Sequence, residues 1–276
     1  MTDGFALPHS ILMLGCGNMG AATVAGIAAQ MPSLEVTAVD RDPARAQELL
    51  PVGARIQVFS DVDHLPSKGF DVCILCVKPH DLPRALAAAK SRIAGALIIS
   101  IAAGIPLSRI ALQAETTSRL VRVMPNLPAM VGCSMSVGYT NPGTLSAVDR
   151  RIVESIFSAI GQFCWVDEEA DIDLVTGISG SGPGYVFAFV DCLQQAAELM
   201  GFAPDVAQRL ACQTIIGAGR LLERDQRSAR ALKQAVASPG GTTQAALAVL
   251  DARGGLSELL TAATGAAASR ARELAQ

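Results

Sequence analysis

Gly15-Cys16-Gly17-Asn18-Met19-Gly20 separates a short apolar run, residues 11–14, from an Ala-rich segment. Glycines at this spacing between a strand and a helix are typical of dinucleotide-binding proteins, because they allow a tight turn, close approach of a pyrophosphate to the backbone, and packing of the helix on the strand. A glycine turn without a ligand is the alternative interpretation. We predict a dinucleotide phosphate site whose members are Gly15, Gly17, Asn18, Met19 and Gly20.

The pattern around this turn predicts an α/β fold as far as residue 166. Short apolar runs alternate there with amphipathic segments, which is typical of a parallel sheet flanked by helices. Strands are predicted at residues 11–14, 35–39, 56–59, 72–77, 97–101, 120–124, 134–139 and 163–166. Helices are predicted at residues 19–31, 43–50, 82–90, 107–111 and 145–160. We therefore predict a dinucleotide-binding domain over residues 1–166.

The composition changes after Asp167-Glu168-Glu169, because Ala, Leu, Gln and Arg dominate and strand-like runs nearly vanish. This predicts an all-α domain, residues 167–276, with helices at 171–176, 185–200, 205–222, 229–236, 243–252 and 256–274. Several of these helices are apolar over more than a narrow stripe. We expect a second copy of the chain to cover them, so that the protein is a dimer.

The composition also limits the classes of partner. The chain has 276 residues, 50% of them hydrophobic, and a formal net charge of −3 with scattered basic residues. This excludes a disordered chain and offers no basic patch for nucleic acid or an anionic membrane. Residues 1–4 do not begin a basic segment followed by an apolar one, and the long uncharged stretches are broken by Gly and Pro. We predict no signal peptide, no membrane span and a cytoplasmic location.

The seven cysteines and three histidines predict no metal site. Most of the cysteines lie inside apolar runs, as expected of reduced core residues. Cys73 and Cys76 have CxxC spacing, but residues three apart on a strand point to opposite faces, and no second pair completes a metal site. The histidines do not cluster, so the sequence offers no group of histidines for a metal site or a catalytic triad.

Asp40 and Arg41 are the candidates for choosing the cofactor. Asp40 ends the second predicted strand about 20 residues after the glycine turn, which is where an acid receives a ribose hydroxyl in NAD-binding proteins. Arg41 beside it can instead hold the 2′-phosphate of NADPH or stack on adenine. Asp40 favours NADH, and the sequence leaves the choice between NADH and NADPH open.

Further cofactor contacts are expected after the fourth, fifth and sixth predicted strands. Ligands of such sheets bind outside the carboxyl ends of the strands. Lys78 could contact the ribose or the phosphates, or it could be a solvated loop residue, and small residues after the fifth strand would let a nicotinamide approach the backbone. The predicted cofactor residues here are Val77, Lys78, Pro79, Ala103, Gly104 and Asn126.

A second glycine motif, Ser238-Pro239-Gly240-Gly241-Thr242-Thr243, precedes an Ala-rich predicted helix. Amides at the positive end of a helix can hold a small anion without a formal positive charge. Helix capping explains the hydroxyl residues, but it would leave the amides of the two glycines bare. We predict a carboxylate site formed by Ser238, Gly240, Gly241, Thr242 and Thr243. Together the two motifs predict a reductase of a small acid.

These motifs resemble those of the pyrroline-5-carboxylate reductase family over nearly the whole chain. The resemblance rests on the Asn-Met-Gly end of the first motif, Val77-Lys78-Pro79, residues 100–104, Met124-Pro125-Asn126, Gly180-Ser181-Gly182-Pro183 and, most diagnostically, residues 238–243. It implies an N-terminal Rossmann domain and a C-terminal helical domain that forms an intertwined dimer, with dimers able to assemble further.

The resemblance also implies an activity, which is the NADPH- or NADH-dependent reduction of 1-pyrroline-5-carboxylate to L-proline, the last step of proline biosynthesis. The substrate carboxylate would lie on residues 238–243, and Thr176 would be a catalytic residue near the ring nitrogen. The chain departs from the family pattern at Leu127, where Thr is common, at Gly184, where Ala is common, and at Asp40, where many members have a neutral residue.

Three alternative functions have to be compared with these motifs. A hydroxyacid dehydrogenase needs a general acid or base, and residues 185–200 contain no lysine to serve as one. A reductase of another cyclic imine carboxylate, with a six-membered or sulfur-containing ring, is compatible with the same motifs. A non-catalytic dinucleotide-sensing module would not need the second anion site.

Overall fold

The glycine turn joins the first strand to the first helix in the computed structural model, which describes residues 8–115 and 119–275. The residues behind the prediction of no signal peptide lie outside the described ones. The strands are β1 (Ser10–Leu14), β2 (Glu35–Val39), β3 (Ile56–Phe59), β4 (Val72–Leu75), β5 (Leu97–Ser100), β6 (Leu120–Met124), β7 (Ser134–Tyr139) and β8 (Gly161–Trp165). The α/β class predicted for the first half is confirmed.

The strands form one sheet in the order β3-β2-β1-β4-β5-β6-β7-β8. All neighbours are parallel except β6 and β7. Every residue of β1, β4 and β5 is buried, because helices cover both faces of the sheet at its centre. The strand order reverses at β1, and in such sheets the crevice beyond the carboxyl ends at that point binds ligands.

Helices of the first half of the chain cover the two faces of the sheet. They are α1 (Asn18–Gln30), α2 (Pro43–Glu48), α3 (Leu82–Ala89), α4 (Leu107–Ala114) and α5 (Ala147–Ser158). One face packs α1 and α5 against residues such as Ile11 and Ile74, and the other packs α3 and α4 against residues such as Leu75. The start of α5 is defined by a reciprocal capping box between Ser146 and Asp149.

The helical half contains α6 (Glu169–Val175), a π-turn (Thr176–Gly180), α7 (Gly182–Leu199), α8 (Pro204–Arg224), α9 (Ala229–Val236), α10 (Thr242–Leu250) and α11 (Leu256–Ala275). The all-helical prediction is confirmed for the described residues. No described helix is both long enough and apolar enough to cross a membrane.

Compactness divides the chain into two units. One contains the chain up to Ser181 together with the end of α11 from Ala267, and the other is Gly182–Ala266. The first unit includes α6, whose acidic side chains Glu169 and Asp173 pair with the buried Arg122 of β6. The domain boundary that we predict after residue 166 stays a prediction.

The helices of the second unit expose large apolar side chains in the single chain. Phe187 is 58% exposed, and Leu199 is 90% exposed. Exposure of this extent over several helices is what the sequence predicts for faces that a second copy covers.

Candidate functional site

The first and the last glycine of the turn are each required for a different steric reason. Gly15 has φ +92°, and a Cβ built there would lie 2.6 Å from the carbonyl oxygen of Cys76, just beyond β4. A Cβ at Gly20 would lie 2.4 Å from the carbonyl oxygen of Gly15. The turn is therefore packed between the ends of β1 and β4 and the start of α1, and both positions exclude any larger residue.

Gly17 differs because the space around it is open. Its φ is −72°, and a Cβ there would meet no atom of the described residues within 4 Å. The next residues, Asn18 and Met19, begin α1, and amides in the first turn of a helix have no intrahelical acceptor. The first turn of α1 contains no acidic residue. Open space, unpaired amides and the positive end of the helix dipole fit the pyrophosphate of a dinucleotide.

Asp40 lies beside this turn at the end of β2. Its Oδ2 accepts a hydrogen bond of 2.7 Å from the amide of Cys16, and its Oδ1 accepts one of 3.0 Å from the amide of Asp42. These bonds fix the orientation of the carboxylate against the glycine turn. Each oxygen keeps a lone pair, so contact with a ribose hydroxyl stays a prediction that this geometry allows.

Arg41 and Lys78 are exposed side chains on the loops that flank β1. The guanidinium Nη2 of Arg41 lies 3.4 Å from Oδ2 of Asp81, a residue that our sequence analysis did not select. Asp81 ends a 3₁₀ turn, Pro79–Asp81, that begins directly after Lys78. The loops after β2 and β4 thus come within contact distance of each other at the predicted cofactor site.

Cys16 and Cys76 are the thiols closest to the turn. Burial, and secondarily the Asp40 carboxylate, raises the pKa of the Cys16 thiol to about 11. Burial, then the neighbouring Cys16 and Asp40, raises the pKa of Cys76 to about 12, although the amide of Gly20 donates to its sulfur. Both thiols are protonated at neutral pH, which makes them poor nucleophiles and poor redox sensors.

Asn126 is buried after β6, and its carboxamide bonds to the backbone at both ends. Nδ2 donates to the carbonyl oxygen of Ser179 at 2.9 Å, and Oδ1 accepts from the amide of Met135 at 3.0 Å. The side chain therefore ties the loop after β6 to the π-turn. Contact between Asn126 and the cofactor stays a prediction, and Ala103 and Gly104 lie after β5 at the same edge of the sheet.

Thr176 begins the π-turn, in which the amide of Ser181 bonds to the carbonyl oxygen of Thr176 at 2.8 Å. Such turns are rare and frequently lie at functional sites. The hydroxyl of Thr176 donates to the carbonyl oxygen of Ile172 at 2.8 Å. The hydroxyl proton is therefore used in a hydrogen bond within the helix, and the oxygen can only accept a hydrogen bond from a ligand.

Arg122 supports this segment and was missed by the sequence analysis. It is 3% exposed, its Nη2 lies 2.6 Å from Oδ1 of Asp173, and its Nη1 lies 3.5 Å from Oε1 of Glu169. The available signal was a charged residue between two valines of a predicted strand. Arg122, Met124 and Asn126 alternate along one side of β6 and its extension, and they contact α6 and the π-turn in succession.

The structure of the loop of residues 238–243 contradicts one premise of the predicted carboxylate site. The glycine amides are not bare, because Gly240 donates to Oε1 of Gln244 at 2.6 Å and Gly241 donates to the carbonyl oxygen of Ser238 at 2.9 Å. A side chain four residues later in the chain supplies the first acceptor. The amides of Thr242 and Thr243, which begin α10, still have no intrahelical acceptor by geometry. The carboxylate site stays a prediction, and a ligand on the amide of Gly240 would displace Gln244.

The glycine turn at the switch point of a mostly parallel sheet, followed by a helical domain, defines the class of nicotinamide-dinucleotide-dependent oxidoreductases. Residues 10–104 match the family model "NADP oxidoreductase coenzyme F420-dependent", and residues 169–274 match "Pyrroline-5-carboxylate reductase dimerisation".

The proteins that are similar to nearly the whole chain include three that illustrate the match. Pyrroline-5-carboxylate reductase of Pseudomonas aeruginosa is 34% identical over 96% of this chain and 97% of its own length. The structure of a pyrroline-5-carboxylate reductase from Coxiella burnetii has a TM-score of 0.86 at 33% identity, covering 96% of this chain and 98% of that one. A Plasmodium falciparum pyrroline carboxylate reductase with NADP bound has a TM-score of 0.80 at 25% identity, covering 97% and 98%. The chain belongs to the pyrroline-5-carboxylate reductase family.

Proposed function

We propose that this chain catalyses the NAD(P)H-dependent reduction of 1-pyrroline-5-carboxylate to L-proline, the last step of proline biosynthesis. The observation that carries the proposal is the glycine turn, whose open face at Gly17 fits a pyrophosphate, in a chain that matches reductases of this name over almost its full length. The exposed apolar helices of the second unit support a homo-oligomer built from dimers of the helical domain. We place this oligomer in the cytoplasm.

The nicotinamide, when bound, supplies a hydride to the carbon of the C=N bond. The chain's own residues hold the reactants. Amides of Asn18 and Met19 would hold the pyrophosphate, and the loop of residues 238–243 would hold the substrate carboxylate with dipoles rather than a cation. A protonated imine is the better hydride acceptor, and a site without a fixed cation near the ring does not repel it.

Thr176 takes a defined role in this proposal. Because its hydroxyl proton bonds to Ile172, Thr176 accepts a hydrogen bond from the N–H of the protonated imine and does not protonate the nitrogen. The proton that accompanies the hydride is already on the nitrogen when the substrate binds, and the product is the secondary amine. Thr176 thus orients the ring.

Thr176→Val is expected to lower kcat/KM with the imine by about tenfold or more, since a hydrogen bond to a charged group contributes about 1.5–3 kcal/mol. Valine keeps the shape of the side chain and removes the acceptor. The matched control is Thr214→Val, because Thr214 on α8 makes the same bond to a carbonyl four residues earlier, at 2.7 Å. An unchanged kcat/KM for Thr176→Val would contradict the assigned role.

The direct test of the function is steady-state oxidation of NADH and NADPH, each with 1-pyrroline-5-carboxylate and with its six-membered homologue. We expect fast turnover of the five-membered ring. Preference for the larger ring would move the enzyme to another cyclic imine carboxylate. Dinucleotide binding without turnover of either ring would replace the proposal with a dinucleotide-sensing module.

A further inference from the structure

The loops after β2 and β4 meet across the end of β1, and an ion pair joins them. Nη2 of Arg41 lies 3.4 Å from Oδ2 of Asp81, and the two side chains are 70% and 21% exposed. In dinucleotide-binding sheets of this kind, an acid at the end of the second strand receives the ribose hydroxyls, and an arginine nearby accommodates a 2′-phosphate. Arg41 is in the position of that arginine, so its partner matters to cofactor choice.

Asp40 already opposes a 2′-phosphate. Its carboxylate is held against the glycine turn by the amides of Cys16 and Asp42, at 2.7 and 3.0 Å. A carboxylate fixed in this way cannot swing aside when a phosphate approaches, whereas its remaining lone pairs suit ribose hydroxyl donors. Only a nearby cation could offset the repulsion.

Asp81 engages that cation. Its place is set by the backbone of the 3₁₀ turn, in which the amide of Asp81 donates to the carbonyl oxygen of Lys78 at 2.9 Å. The imidazole Nε2 of His80 lies 3.5 Å from the same carboxylate oxygen that faces Arg41. A 2′-phosphate on Arg41 would have to compete with Asp81 for the guanidinium and would add a second repulsive carboxylate.

We propose that Asp81 is a specificity-determining residue that directs this chain toward NADH by pairing with Arg41 beside the fixed carboxylate of Asp40. The inference rests on the proposed use of a nicotinamide dinucleotide but not on the imine substrate. The rival explanation is an exposed ion pair without any effect, which is common on protein surfaces.

The test measures the Kd of NADH and of NADPH separately, by nicotinamide fluorescence at fixed ionic strength, in the full chain without imine. The wild-type chain should bind NADH more tightly than NADPH. Asp81→Asn should tighten NADPH about five- to tenfold, the size expected for one charge beside a phosphate at a surface, and leave NADH within about twofold. Adding Arg41→Gln to Asp81→Asn should abolish the gain, because the effect passes through Arg41.

The matched control is Glu35→Gln. Glu35 is an exposed acid 2.8 Å from Lys68 at the opposite end of β2, so the variant removes one negative charge remote from the cofactor edge. It should change neither Kd by more than about twofold. An unchanged NADPH Kd in Asp81→Asn, an equal change for both cofactors, or a wild-type chain that strongly prefers NADPH would overturn the proposal. Because these Kd values need no turnover, failure of the imine assay would leave this result standing.

Discussion

Arg122→Met is expected to lower the free energy of unfolding by about 3–5 kcal/mol, the cost of leaving a buried charge without its partner. Arg122 is the cation between Asp173, at 2.6 Å, and Glu169, at 3.5 Å, and it is almost completely buried. Its removal leaves two carboxylates facing an apolar methionine. We would measure thermal unfolding at a fixed protein concentration and expect Tm to fall by about 10 °C, since 1 kcal/mol shifts Tm by roughly 2–4 °C in chains of this size.

The matched control is Arg55→Met. Arg55 is 62% exposed at its side chain and lies 3.9 Å from Glu35, so the loss should be within about 1 kcal/mol. Arg122→Met combined with Asp173→Leu should recover part of the stability, because a buried ion pair can be replaced by apolar residues of similar volume. A loss for Arg122→Met no larger than that of the control would contradict the buried pair.

Gly17→Ala is expected to raise the Kd of NADH and NADPH by about 100-fold, roughly 2.7 kcal/mol. The physical reason is that a methyl group at Gly17 enters the open space where a pyrophosphate must approach the backbone. The fold should tolerate the change, because φ is −72° and no described atom lies within 4 Å of the added carbon. Cofactor titration and Tm, measured together, separate binding from folding.

Substitutions at two other glycines serve as comparisons for Gly17→Ala. Gly69→Ala is the control for the substitution itself, since its Cβ would meet only the carbonyl oxygen of Arg92 at 3.8 Å. Gly15→Ala should instead unfold the turn, because its φ is +92° and the Cβ would collide with Cys76. Tight cofactor binding by Gly17→Ala would show that the pyrophosphate does not lie on this turn.

The strands were predictable because their apolar runs are continuous and bounded by turn residues. Residues of β2, β3, β6 and β7 have the predicted bounds, whereas β4 ends two residues early, at Leu75. The apolar run continues through Cys76 and Val77, where the amide of Cys76 still donates to the carbonyl oxygen of Leu14 at 2.8 Å while the Cys76 side chain packs beneath the glycine turn. An apolar run in the sequence indicates which residues are buried, and burial does not distinguish a strand from a loop that packs on a strand.

The candidate site was predictable where local chemistry suffices and not where contacts are distant in sequence. Asp40 was selected from its spacing, but the bond from the amide of Cys16 that orients it depends on β2 lying next to β1. Asp81 gave no signal, since an acid in a loop is ordinary until Arg41 lies beside it. Gln244 was missed for a local reason, because its side chain reaches back to an amide that sequence patterns treat as free.

The sequence by itself determined the fold class, the glycine turn and the resemblance to a reductase family, because glycine spacing and apolar periodicity act through neighbouring residues. Tertiary structure alone decided which charges meet. The ion pair of Arg41 with Asp81 depends on the strand order β2-β1-β4, which brings the loops after β2 and β4 together. The ion pair of Arg122 with Asp173 depends on the packing of α6 on β6. Electrostatic pairing depends on distance in space, and a one-dimensional pattern carries that distance only over the few residues of a turn or a helix.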